Sequence, residues 1–161
     1  MFNRIVIPVD GSKISQLALK QGIALAIEQG AALRLLHVHE VSVLADMQGA
    51  RAASGMSVAP DVEGLERFES RLAARAREVL DRALAAATRA GVQKVDGKLI
   101  NAGTRRAASL IVDDAKKWKA DLIVMGTHGR SGFDHLVFGS VAEGVMRSAA
   151  SPVLLIRAQE K

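Results

Sequence analysis

The stretch GTHGRSGFDHLVFGS, Gly126 to Ser140, follows directly on the apolar run DLIVM and carries glycines at its start, middle and end. Glycine after a strand lets the backbone turn with positive φ and brings N–H groups close to a ligand with no Cβ in the way. Consecutive N–H groups in such a turn form an anion-binding nest. Gly139 and Ser140 stand where a helix is expected to begin, and unpaired N–H groups at a helix start favour a phosphate. Arg130 adds a cation that can reach a phosphate tail. A purely structural reading fits the same residues: tight turns use glycine, and Ser140-Val141-Ala142-Glu143 has the form of a capping box, with Glu143 placed to repel a phosphate. The stretch lacks the Gly-Lys-Ser/Thr ending of a Walker A loop, and its glycines have the wrong spacing for a dinucleotide fingerprint. Spacing alone leaves the phosphate cradle and the structural turn equally open.

Other chemistry-bearing residues are sparse. His37 and His39 share one face of an apolar run, and His128 and His135 fall in the glycine stretch. No carboxylate accompanies the histidine pair at ligand spacing, and the chain has no cysteine, so no protein-held metal site is expected. No nucleophile stands beside a base and no nucleophile elbow occurs, so no catalytic residue is assigned. Asp10, in PVDGS, has the position of an Asx turn or a helix cap.

The elements that must hold these residues are readable from hydrophobic periodicity. Strands are expected at 4–9, 32–39, 92–100, 121–125 and 152–157, with the third more polar, as at a sheet edge. Helices are expected at 13–29, capped by Ser12 and stopped by Gly30, then at 62–90, 104–119 and 141–149. In the second helix an apolar stripe runs through Leu65, Phe68, Leu72, Val79, Ala83 and Ala86, with Asp61 as its cap. Residues 41–61 show no sustained period and read as a flexible loop. Alternation of continuously apolar strands with helices predicts one α/β domain over 1–161: a doubly wound, Rossmann- or flavodoxin-like fold with a five-stranded parallel sheet and helices on both faces. Such sheets bind ligands at the carboxyl ends of strands where the strand order reverses. If strands one and four flank that point, PVDGS and the glycine stretch converge there.

Composition narrows the function further. The chain has 161 residues, 49% of them hydrophobic and 24% charged, the balance of a soluble globular domain. It has neither the leader pattern of a signal peptide nor a membrane-length apolar run, so a cytoplasmic location is expected. The formal charge of +5 is spread along helices and mixed with acids, and one tryptophan with no tyrosine leaves little to stack on bases. A nucleic-acid partner is therefore not expected. The densest basic spot, Lys116 to Lys119, lies at a helix end, where lysines complement the dipole.

Taken together, RIVIPVDGS, LRLLHV, ADLIVMGTHGRSG and FGSVAEGVMRSAASPVLLI resemble, in that order and over nearly the whole chain, the universal stress protein family in its ATP-binding subgroup. The family signature Gly-x2-Gly-x9-Gly-Ser/Thr is met by Gly126, Gly129, Gly139 and Ser140. The resemblance implies that Pro8 and Asp10 lie beside the adenosine and that Val38 presents main-chain groups to the adenine edge. It places Met125 and Gly126 against the ribose. Gly126, Gly129, Arg130, Gly132, Gly139, Ser140 and Val141 would then hold the phosphates, with Mg²⁺ bridging phosphate oxygens. It further implies a homodimer formed through the strand at 152–157. The function expected is a dimeric stress-response module governed by ATP occupancy, with slow hydrolysis at most. A genuine ATPase or phosphotransferase using the same pocket, and a nucleotide-free stress protein that binds other proteins, are the alternatives.

Overall fold

The computed structural model describes residues 1–39, 62–127 and 138–157. Five parallel strands, β1 (Arg4–Pro8), β2 (Ala32–His39), β3 (Val95–Asn101), β4 (Leu122–Gly126) and β5 (Val153–Ile156), form one sheet in the order β3-β2-β1-β4-β5. Helices α1 (Lys13–Gln29) and α2 (Val62–Arg89) cover one face, and α3 (Ala107–Trp118) and α4 (Ser140–Ser148) cover the other. The expected α/β class and five-stranded parallel sheet are therefore realised. The chain steps from β1 outward to β2 and β3, then returns to place β4 on the opposite side of β1, so the reversal lies between β1 and β4.

Because both faces are covered, the central strands are apolar at successive positions and not only at alternate ones. Ile5, Ile7, Leu33, Leu35 and Val124 pack with Ala18, Leu19 and Ile23 of α1 and Val79, Leu80, Ala83 and Ala87 of α2. Val6, Leu36, Ile123 and Met125 pack with Ile111 and Ala115 of α3 and Ala142 and Val145 of α4. Each large aliphatic side chain so buried contributes about 1.5–3 kcal/mol.

Several boundaries differ from expectation. The third strand begins at Val95, because Gly91-Val92 closes α2: Val92 is buried and its N–H bonds the carbonyl of Ala87. Helix α3 starts at Ala107, after a turn in which the Arg105 N–H bonds the Ala102 carbonyl. β5 is shorter than 152–157, since Pro152 serves the sheet through its carbonyl alone, accepting from the Ile123 N–H at 3.0 Å. The stripe on α2 is corrected in part: Val79 and Ala83 are buried, whereas Phe68 is 45% exposed and the inward positions are taken by Ala76, Leu80 and Ala87. Asp61, the loop 41–61 and the side chain of Leu65 lie outside the described residues.

Arg34 interrupts the apolar run that opens β2. Arg34 meets Asp96 of β3 with two bonds of 3.0 and 2.7 Å, reaches Asp114 of α3 at 3.4 Å, and lies with its guanidinium 4.8 Å from the centre of the Trp118 ring. Lys98 of β3 also pairs with Asp114, which is 2% exposed. The hydrogen bonds that Arg34 donates to Asp96, opposed by partial burial and reinforced by the charges of Asp96 and Asp114, raise the Arg34 pKa above its ordinary value. This ionic cluster joins the β2–β3 side of the sheet to α3.

Candidate functional site

At the carboxyl ends of β1, β2 and β4 the structure opens a cavity of about 730 Å³. That is within the usual size range for a cofactor or small-molecule site. Its walls come from every strand end that meets the reversal. Pro8 ends β1 and Val9 and Asp10 follow it, His37, Val38 and His39 close β2, and Met125 and Gly126 close β4 with Thr127 next in the chain. Leu72, Arg75 and Ala76 of α2 line one side, with Ala107 and Ile111 of α3 and Gly139, Ser140, Val141 and Ala142 at the start of α4 on the other.

The turn after β1 is built by short side chains. Asp10 accepts the Ser12 N–H at 2.9 Å, the Ser15 hydroxyl accepts the Asp10 N–H at 3.1 Å, and Ser12 caps α1 by accepting the Ser15 N–H at 3.1 Å. Gly11 adopts φ +80, a left-handed conformation that side chains resist, which lets the chain turn this sharply from strand to helix. The Asx-turn role of Asp10 is thus present in the structure.

The turn after β4 is organised differently. The Gly139 N–H donates to the Thr127 carbonyl at 2.8 Å, drawing together the two ends of the glycine stretch. Gly139, and not Ser140, occupies the N-cap of α4, and among the described residues no side chain caps that helix. The capping-box reading is therefore corrected: Ser140 is the first helical residue, and the Glu143 carboxylate pairs with Arg147 one turn on. Helix α3 likewise starts without a side-chain cap. Of the three helices that begin around the cavity, α1 has its first turn capped by Ser12, while the starts of α3 and α4, beside Ala107 and Ser140, have no side-chain cap among the described residues. Uncapped helix starts carry orphan N–H groups and partial positive charge, a setting suited to an anion.

The two histidines of β2 diverge. His37 is buried, and its Nδ1 donates to the Val9 carbonyl at 2.6 Å, tying β2 to the end of β1. His39 borders the cavity with its Nδ1 buried and without a hydrogen-bond partner among the described residues. Farther out on α3, the Arg105 guanidinium bonded to Asp113 holds that carboxyl below its ordinary pKa.

Eight of the residues expected at the site, Pro8, Asp10, Val38, Met125, Gly126, Gly139, Ser140 and Val141, therefore line one cavity. Val38 also packs against the core between the sheet and α3, so its side chain is structural. Gly129, Arg130 and Gly132, with His128 and His135, lie outside the described residues. Sequence reading missed Thr127, Leu72, Arg75, Ala76 and Ala107. Thr127 was within reach as the residue that follows β4, whereas the α2 residues carry no local mark of a site.

The universal stress protein family profile matches residues 1–157. The chain belongs to the universal stress protein family. A relative, the universal stress protein MJ0531 of Methanocaldococcus jannaschii, is 33% identical over 161 residues, covering 100% of this chain and 85% of its own length. Among solved structures, the hypothetical protein MJ0577 superposes with a TM-score of 0.78 at 23% identity, covering 100% of this chain and 99% of its own. A universal stress protein in complex with cAMP matches with a TM-score of 0.64 at 20% identity, covering 98% of each chain. The universal stress protein from Archaeoglobus fulgidus in complex with dAMP matches with a TM-score of 0.60 at 22% identity, covering 97% of this chain and 98% of its own. These likenesses establish the shared fold, and two of those structures hold an adenine nucleotide.

Proposed function

We propose that the cavity binds ATP, with Mg²⁺ bridging its phosphate oxygens, and that the protein works as a dimeric stress-response module whose state depends on nucleotide occupancy. The observation that carries this reading is the convergence on one cavity, at the strand reversal, of two helix starts without a side-chain cap among the described residues and of the Thr127–Gly139 clamp. Gly126 and Gly139 place no Cβ there, and the Ser140 hydroxyl and N–H stand at the same rim. In this reading Gly129, Arg130 and Gly132 complete the phosphate side, while Pro8, Asp10, Val38 and Met125 border the nucleoside. The family, and the adenine nucleotides held by two structures of the same fold, support the choice of ligand. Mg²⁺ keeps most of its waters and needs few protein ligands, which suits a site dominated by main-chain donors.

Hydrolysis in this reading is slow at most. Asp10 is the single carboxylate among the described residues lining the cavity, and one of its oxygens already accepts the Ser12 N–H. For the dimer, β5 is a sheet edge with Leu154 41% exposed, and Val141 and Met146 of α4 are exposed as well. An apolar edge strand is a liability unless covered, and pairing with a second copy covers it.

The test is to denature freshly purified protein, identify what is released by mass spectrometry, and titrate the stripped protein with Mg-ATP by calorimetry. Released ATP, or saturable binding lost in Ser140→Asp, supports the reading. No released nucleotide together with no binding at millimolar Mg-ATP overturns it.

A further inference from the structure

We propose that His39 is a ligand-contacting residue of this cavity, supplying a hydrogen bond to the nucleoside half of the nucleotide, an inference that rests on the nucleotide reading above. Residues alternate along β2, so His37 and His39 share the face of the sheet that α1 and α2 cover. They have opposite circumstances there. His37 is committed to the Val9 carbonyl at 2.6 Å. The His39 ring stands in the cavity wall, and its buried Nδ1 has no partner among the described residues.

A buried, unpaired ring nitrogen is costly, and folded proteins rarely leave one. A valine or isoleucine at this strand end would pack without that cost. Rotation of the ring by half a turn about Cβ–Cγ exchanges Nδ1 with Cδ2 inside the same outline, and such ring torsions are two-fold and broad. In this proposal the rotation brings the nitrogen to the cavity side, where a ligand supplies the missing partner.

Position assigns the contact to one end of the ligand. His39 closes β2, while Gly126 closes β4, and β1 lies between those strands. Two strand spacings, about 10 Å, thus separate His39 from the glycine side of the cavity. A nucleotide whose phosphates lie at Gly126 and Ser140 therefore brings its nucleoside toward His39. Arg75 and Leu72 of α2 complete the wall at this end.

The experiment compares the stripped full chain with His39→Leu and His39→Asn by calorimetric titration with ATP and AMP at pH 8. The asparagine side chain places a polar atom near the Nδ1 position, and leucine does not. The expected result is that His39→Leu weakens ATP and AMP binding by the same factor, roughly fivefold or more. In the same experiment His39→Asn keeps most of the affinity, and nucleotide-free His39→Leu melts no lower than the parent. The His39 ring nitrogen resonances should also shift when ATP is added to the parent protein. Unchanged affinity in His39→Leu, equal losses in both variants, or a lower melting temperature for nucleotide-free His39→Leu would each overturn the proposal. A parent protein that binds no nucleotide overturns the cavity reading and this inference together. A parent that binds while His39→Leu binds equally well overturns this inference alone.

Discussion

The Thr127 carbonyl accepts the Gly139 N–H at 2.8 Å, so the first residue after β4 and the N-cap of α4 are clamped across the glycine stretch. Gly139 has φ −61, a value that proline also adopts. Gly139→Pro therefore keeps the backbone angle while replacing the donor with a ring carbon that meets the Thr127 oxygen. We expect a cost of about 1–3 kcal/mol in stability and at least tenfold weaker Mg-ATP binding, read by urea unfolding and calorimetric titration. Binding at parental strength would show that the clamp does not shape the phosphate side.

Helix α4 reaches its place because Gly144 lets it lie against α3: a Cβ at that position would stand 2.7 Å from the Ala108 Cβ. Neither atom can turn away, since both Cβ positions are set by their helices. Gly144→Ala should push the two helices apart at a cost of about 1–3 kcal/mol, seen as a lower melting temperature. The same shift displaces the α4 start from β4, so nucleotide affinity should fall as well.

Asp114 answers two cations from the interior side of α3. Asp114→Ala leaves Arg34 with Asp96 and leaves Lys98, which is partly exposed, without this partner. Solvent access of the cations moderates the loss, and we expect about 2 kcal/mol, less than for a fully enclosed pair. Chemical denaturation of Asp114→Ala and Asp114→Asn checks this. The asparagine keeps an oxygen for Arg34 and should recover part of the difference.

The β5 edge offers a direct test of assembly. Leu154→Glu places a charge on the exposed position of that strand and repeats it across any two-fold contact. The variant should sediment as a monomer where the parent sediments as a dimer, with its circular dichroism unchanged. Equal sedimentation of the two proteins would remove β5 from the interface.

Much of the fold could be read from the chain because its signals are local. The continuous apolar strands, the Ser12 cap, the Gly30 stop and the polar third strand depend on neighbours a few residues away, and each is found where local chemistry places it. The alternation of strands and helices dictates a parallel sheet, and the glycine spacing marks the strand end that faces the ligand side. Tertiary structure settled what depends on distant partners. Arg34 stands within an apolar run, and its counter-charges come from Asp96 and Asp114, far along the chain. The Ser140–Glu143 pattern has the local form of a cap, yet the Thr127 carbonyl holds Gly139 in the cap position and Arg147 takes the glutamate. The two histidines of β2 are the same residue type on the same face. The approach of the Val9 carbonyl makes one of them structural, and its absence at the next inward position leaves the other with a buried Nδ1 that has no partner among the described residues. Hydrogen bonds of this kind are made in space between segments that local propensity treats as independent, which is why the chain reveals the scaffold more fully than the working edge of its site.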